Sequence, residues 1–134
     1  MSNKVKILNV NVWDADTGES DIIFETENNK KLKAFSLDYF DEDESLEVDL
    51  SIYCKSLNKI SETNEFFIEN TNDKYEVSFQ GIVDEIISDD ESGDIIKLSV
   101  NELILSLYLE TGINSYSKGD HLNGTGRLDI ETQL

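Results

Sequence analysis

Apolar and polar residues alternate along short runs of this chain, and the runs are separated by clusters of Asn, Asp, Ser and Gly. That is the spacing of β-strands with one buried and one wet face, joined by turns. Residues 74–100 organise the pattern. They read KYEVSFQGIVDEIIS, DDESG and DIIKLSV, which predicts a long β-hairpin. In its first arm Tyr75, Val77 and Phe79 alternate with Glu76, Ser78 and Gln80. Gly81 then interrupts, and the apolar residues resume out of step at Ile82 and Val83, so a bulge or bend is expected there.

The remaining elements follow by the same rule. Residues 5–13 predict a first strand with Leu8, Val10 and Val12 on one face and Ile7, Asn9 and Asn11 on the other. A turn at 14–20 leads to a second strand at 21–27, and a turn at 28–30 to a third at 31–37. Residues 39–45 form a loop or one short helical turn. Residues 46–53 give the cleanest alternation, with Leu46, Val48, Leu50 and Ile52 inward and Glu47, Asp49 and Ser51 outward. Residues 55–65 read as a polar loop, 65–69 as a short strand and 70–73 as a turn. Residues 101–110 (NELILSLYLE) fit both strand and helix spacing, and their neighbours favour a strand. At 122–130, Leu122, Gly124, Gly126, Leu128 and Ile130 share a face whose glycines leave room for close packing.

About nine strands at regular intervals predict an all-β, mainly antiparallel fold: a small coiled barrel or a sandwich. The length fits a single domain spanning 1–134, with two hairpin groups, 5–53 and 65–131, open as similar halves. The strand Phe79-Gln80-Gly81-Ile82-Val83, its hairpin, and a closing strand introduced by Gly119-Asp120 and carrying Gly124-Thr125-Gly126-Arg127-Leu128 resemble the later strands of an OB-fold over residues 75–130. The resemblance implies a small coiled barrel. OB-folds bind too many kinds of ligand for function to follow from it.

Charge changes the picture more than motif does. The chain carries 29 acids against 11 Lys plus Arg, a formal net charge of -18, while 38% apolar residues exclude a disordered chain. A nucleic acid or anionic membrane is therefore a poor partner, since phosphate binding relies on clustered cations; a basic protein fits. The chain departs in this respect from OB-folds that bind nucleic acid.

Catalytic and cofactor chemistry finds no set of residues to use. Cys54 is the sole cysteine, which excludes an internal disulfide, and its strand pattern predicts a buried, inert thiol. His121 is the sole histidine, so neither a zinc site of the usual ligands nor a Cys/His dyad is expected. Asp14, Asp16, Gly18, Asp21 and Glu25 have some of the spacing of a calcium loop, but Gly stands where a ligand is needed and strands flank it; an acidic hairpin turn is the simpler expectation. Trp13, Phe24, Phe35, Phe66, Phe67, Phe79 and Tyr75 fall on strand patterns and are expected in the core. The first residues lack the apolar stretch of a signal peptide, and cytoplasmic residence is expected.

The candidate site is the densest acidic stretch. Seven of the twelve residues 38–49 are acids and none is basic. Tyr39 and Phe40 precede Asp41, Glu42, Asp43 and Glu44, and Glu47 and Asp49 extend the acidic face along the next strand. Aromatics ringed by charge have the chemistry of interface anchors. Asp89, Asp90, Glu91 and Asp94 form a second acidic turn. The expectation is a monomeric, non-enzymatic inhibitor without cofactor, of the immunity-protein or nucleic-acid-mimic type, masking the basic surface of a nuclease-type toxin or another nucleic-acid-binding protein. An assembly module pairing through a sheet edge, or an OB-like small-ligand domain, is the alternative.

Overall fold

Nine strands and no helix make up the described residues of the computed structural model, which are 3–89, 93–109 and 116–133. In chain order they are β1 (Asn3–Asp14), β2 (Glu19–Thr26), β3 (Lys31–Ser36), β4 (Ser45–Ile60), β5 (Phe67–Asn70), β6 (Glu76–Asp89), β7 (Gly93–Val100), β8 (Leu103–Tyr108) and β9 (His121–Thr132). Pairing is antiparallel except for β3 with β9 and β4 with β8. The mixed sheet runs β1-β2-β3-β9-β4-β8-β7-β6-β5, and two further pairings, β1 with β4 and β6 with β9, close it into a barrel-like ring. Two circuits of strands result: β1-β2-β3-β9-β4 and β4-β8-β7-β6-β9. They share the β4–β9 ladder, the longest in the molecule.

Side chains complete the closure where backbone pairing is thin. β3 meets β9 at a single bridge, Phe35 to Asp129. The Ser36 hydroxyl donates to the Ile130 carbonyl at 2.6 Å, and the Asp38 carboxylate accepts from the Thr132 amide at 2.8 Å and hydroxyl at 3.1 Å. Between β3 and β5, the Asn70 carboxamide accepts from the Lys33 amide at 2.8 Å and donates to the Lys33 carbonyl at 2.9 Å. One side chain thus reproduces a rung of an antiparallel ladder.

One continuous apolar core fills both circuits, with Ile7, Phe24, Leu50, Phe79, Leu107 and Leu128 among its fully enclosed members. Burying each such side chain contributes about 1.5–3 kcal/mol, which is why the inward alternation is kept so strictly. The shared ladder needs its glycines. A Cβ on Gly124 would lie 2.2 Å from the Ser56 carbonyl oxygen, and one on Gly126 would lie 2.4 Å from that of Tyr53.

Several sequence expectations are corrected. In β1 the inward residues are Val5 and Ile7, because a register shift between Ile7 and Asn9 changes the phase; Val12 is exposed. Gly81 does not break the alternation: it faces inward in step with Phe79 and Val83, pressed against the Ser99 carbonyl, and the irregularity lies between Val83 and Glu85. β4 continues to Ile60 through residues expected as loop, and β5 begins at Phe67. Two open readings are decided rather than corrected: residues 103–108 are strand, as their neighbours favoured, and 39–44 are loop. Trp13 lies at the surface, 49% exposed, and Phe67 is exposed too. Phe40 goes the other way. It is buried at 3% exposure and joins the core, while Tyr39 beside it is 80% exposed.

Candidate functional site

The acidic loop is anchored by backbone and presents its side chains to solvent. Past Ser45 the β1–β4 ladder continues into it: the Asp43 amide donates to the Ile7 carbonyl at 2.7 Å, and the Ile7 amide donates to the Glu44 carbonyl at 2.8 Å. The Val10 amide donates to the Glu42 carboxylate at 3.1 Å. Asp43 sits at φ 66°, a left-handed conformation that Asp tolerates better than most residues. Asp41, Glu42, Asp43 and Glu44 are all exposed, and among the described residues none forms an ion pair. Tyr39 projects beside them. Phe40 does not, so it is withdrawn from the surface and serves as the plug under the loop.

A second convergence of acids lies on the shared ladder. Pairing sets Asp49 opposite Glu131 and Ser51 opposite Asp129, and Asp38 reaches over from the end of β3 to Thr132. Burial, and then the charges of Asp38, Asp129 and Asp49, hold the Glu131 carboxyl above its ordinary range. Burial likewise raises Asp129, against the lowering effect of Arg127. Glu47, paired with Lys4 across β1–β4, is exposed one step farther along β4.

Next to these acids the wall becomes aromatic. Tyr53 stands opposite Arg127 on the ladder and Phe35 opposite Asp129 across the parallel seam. The Arg127 guanidinium lies 5.2 Å from the Phe35 ring centre and 4.9 Å from that of Tyr53. It also donates to Asp129 through Nε at 2.7 Å and Nη2 at 2.9 Å. Tyr53 stacks on Tyr108 at 5.2 Å, and Phe35 contacts both Trp13 at 6.4 Å and Tyr75 at 5.5 Å. Lys74 covers the rings of Trp13 and Tyr75. The Tyr75 hydroxyl donates to Asp21, and burial together with that bond pushes the phenol up to about 12. Tyr53 and Arg127 separate two hollows. One, of about 250 Å³, is walled by Phe35 and Leu37 with Asp38 and Glu131; the other, of about 310 Å³, by Tyr75, Lys55 and Glu76.

The other candidates have structural employment. The Asp14 carboxylate accepts from the amides of Asp16 and Thr17, which caps its own turn, and Asp21 is engaged with Tyr75 and Lys33. Among the described residues no group of three or more His, Cys, Asp or Glu is arranged to hold a metal ion. His121 accepts from the Thr63 amide at 3.4 Å and stacks on Phe66. Cys54 is partly enclosed, and burial pushes its thiol up to about 12. Of the second acidic turn, Asp90 and Glu91 lie outside the described residues; Asp89 and Asp94 are placed by backbone pairing with Gly93 and Ser88.

The aromatic half of the surface escaped the sequence reading. Arg127 is the sole arginine and precedes Asp129 by two residues on one strand, which places both on one face; that was the available signal. Its encounter with Phe35 and Tyr53 depends on three strands far apart in the chain.

Among the described residues, fold and surface define a nine-stranded, ring-closed all-β architecture whose shared wall carries the exposed Tyr53 beside converging carboxylates. Comparison of the chain with protein-family models, curated proteins and solved structures gives no match. Among the described residues no helix is long and apolar enough to cross a membrane.

Proposed function

We propose that this chain is a non-enzymatic binding protein that covers a basic surface of a partner protein, in the manner of an immunity protein to a nuclease-type toxin or of a nucleic-acid mimic, acting as a monomer in the cytoplasm. One observation carries the reading: Asp41, Glu42, Asp43 and Glu44 stand exposed beside Tyr39 and, among the described residues, form no ion pair. Carboxylates held this way steer a cationic surface to the site and raise its rate of encounter at low ionic strength. Tyr and Trp supply rigid contact area once the surfaces meet.

The reading as an assembly module that pairs through a sheet edge has less support, because the outer edge of β5 is four residues long and Asn70 already ties it to β3. Affinity capture at low and at high salt tests the proposal. The expected result is a partner rich in Lys and Arg whose association slows with added salt, and slows likewise in a D41N/E42Q/D43N/E44Q variant at low salt. A partner of neutral or acidic surface, or association indifferent to ionic strength, overturns it.

A further inference from the structure

Arg127 displays, within the chain, how this wall holds a guanidinium. Aromatic rings flank it on Phe35 and Tyr53, and a carboxylate, Asp129, receives two of its N–H groups. Planarity, weak hydration and a forked set of donors make guanidinium suited to such a place, where an ammonium fits less well.

The neighbouring hollow of about 250 Å³ repeats those ingredients. Phe35, Leu37 and Tyr53 give it an apolar wall, and Asp38 and Glu131 stand at it as carboxylates. Arg127 is the one cation among the described residues that lines it, and its charge is already matched by Asp129. Among the described residues neither Asp38 nor Glu131 forms an ion pair. Leu37 is 58% exposed; the Tyr53 ring, whose faces meet Tyr108 and Arg127, is 44% exposed and offers its edge, so the apolar wall is open to an arriving side chain there.

We infer that this hollow receives an arginine side chain of the basic partner, its guanidinium against Asp38 and Glu131 and its aliphatic stem on Leu37 and the exposed edge of Tyr53. The inference rests on the proposed reading of the chain as a binder of basic protein surfaces, and it divides the labour within that reading. The exposed loop at 41–44 draws the partner in; the hollow holds it. Crowding of like charge around Glu131 points the same way, since an incoming cation relieves it.

Nuclear magnetic resonance titration of the full chain with three capped pentapeptides tests this, the three differing in carrying two arginines, two lysines or two citrullines at the same positions. At low ionic strength the arginine peptide is expected to shift the amides of Leu37, Asp38 and Glu131 saturably, to bind several-fold more tightly than the lysine peptide, and to lose its effect when citrulline replaces arginine. Tyr53→Ala and Glu131→Gln each weaken the arginine peptide about tenfold, the worth of one ring contact or one charged hydrogen bond. Tyr53→Phe keeps the ring and binds like the parent, and amide dispersion reports whether each variant is folded. If the arginine peptide shifts residues 41–44 alone, or binds the Ala and Gln variants as well as the parent, the hollow is not the site although charge-driven binding stands. If no cationic peptide perturbs any residue at low ionic strength, the broader reading falls with it.

Discussion

The Asp129 carboxylate is buried on the shared ladder and gripped through both oxygens by Arg127, two residues earlier on the same strand, at 2.7 and 2.9 Å. The pair is asymmetric, since half of the Arg127 side chain is exposed whereas Asp129 is nearly enclosed. Arg127→Ala therefore strands a charge in a poorly solvated place. The expected loss is about 1–2 kcal/mol, above that of an exposed pair and below that of a fully buried one. Adding Asp129→Asn recovers most of it, a coupling that a double-mutant cycle in urea measures.

Acidification is expected to stabilise the protein before it harms it. Asp129 and Glu131 hold their protons more tightly folded than unfolded, because burial raises the Asp129 carboxyl and partial desolvation, with the charges of Asp38, Asp129 and Asp49, raises that of the exposed Glu131. A group of that kind contributes stability below the unfolded carboxylate range and loses it as pH rises through its folded value, so at neutral pH each is a net cost. The net charge of -18 adds self-repulsion of the same sign. The unfolding temperature should rise from about pH 7 towards about pH 5. Glu131→Gln should raise it at neutral pH and flatten the profile just above the ordinary carboxylate range; thermal melts across that window check both.

The glycines of β9 should tolerate no side chain. At Gly124 and Gly126 an added Cβ meets backbone carbonyl oxygens at 2.2 and 2.4 Å, and backbone in a ladder cannot step aside cheaply. Each Gly→Ala change is expected to cost about 3 kcal/mol. Gly119 makes the control. Nothing lies within 4 Å of its added Cβ, but φ is +92°, so Gly119→Ala should cost about 1 kcal/mol from conformation alone. Denaturant midpoints separate the two cases.

Cys54 should be chemically silent. With its thiol pushed up to about 12 by burial, the thiolate is scarce near neutrality. A disulfide reagent at about pH 8 should label the folded protein far more slowly than the chain in denaturant, where the thiol returns to its ordinary value near 8.5. Equal rates would mean that β4 opens at Cys54.

Much of the fold was legible because alternation reports directly on burial. Val48, Leu50 and Ile52 announced β4, and Leu122, Leu128 and Ile130 announced β9. What alternation cannot show is a strand without a buried face: Lys55, Ser56, Asn58 and Lys59 are exposed, and β9 pairing holds them extended. Nor does it survive a bulge, as the shift after Ile7 and that at Cys54 and Ser56 demonstrate. The candidate surface was legible by halves. Composition marked residues 41–44, whereas the opposite fates of Tyr39 and Phe40 depend on which way one loop turns. The meeting of Trp13, Phe35, Tyr53 and Arg127 is a product of topology, which pairs residues too distant in the chain for any local pattern to join.

Of the nine strands among the described residues, eight leave the ribosome before the one that seals them. Because β9 walls both circuits, neither can shut until residues 121–132 have emerged, and the nascent chain must until then carry open strand edges. Such edges invite neighbouring copies to stick. Seen from biosynthesis, the surplus of carboxylates makes unfinished molecules repel one another during that interval.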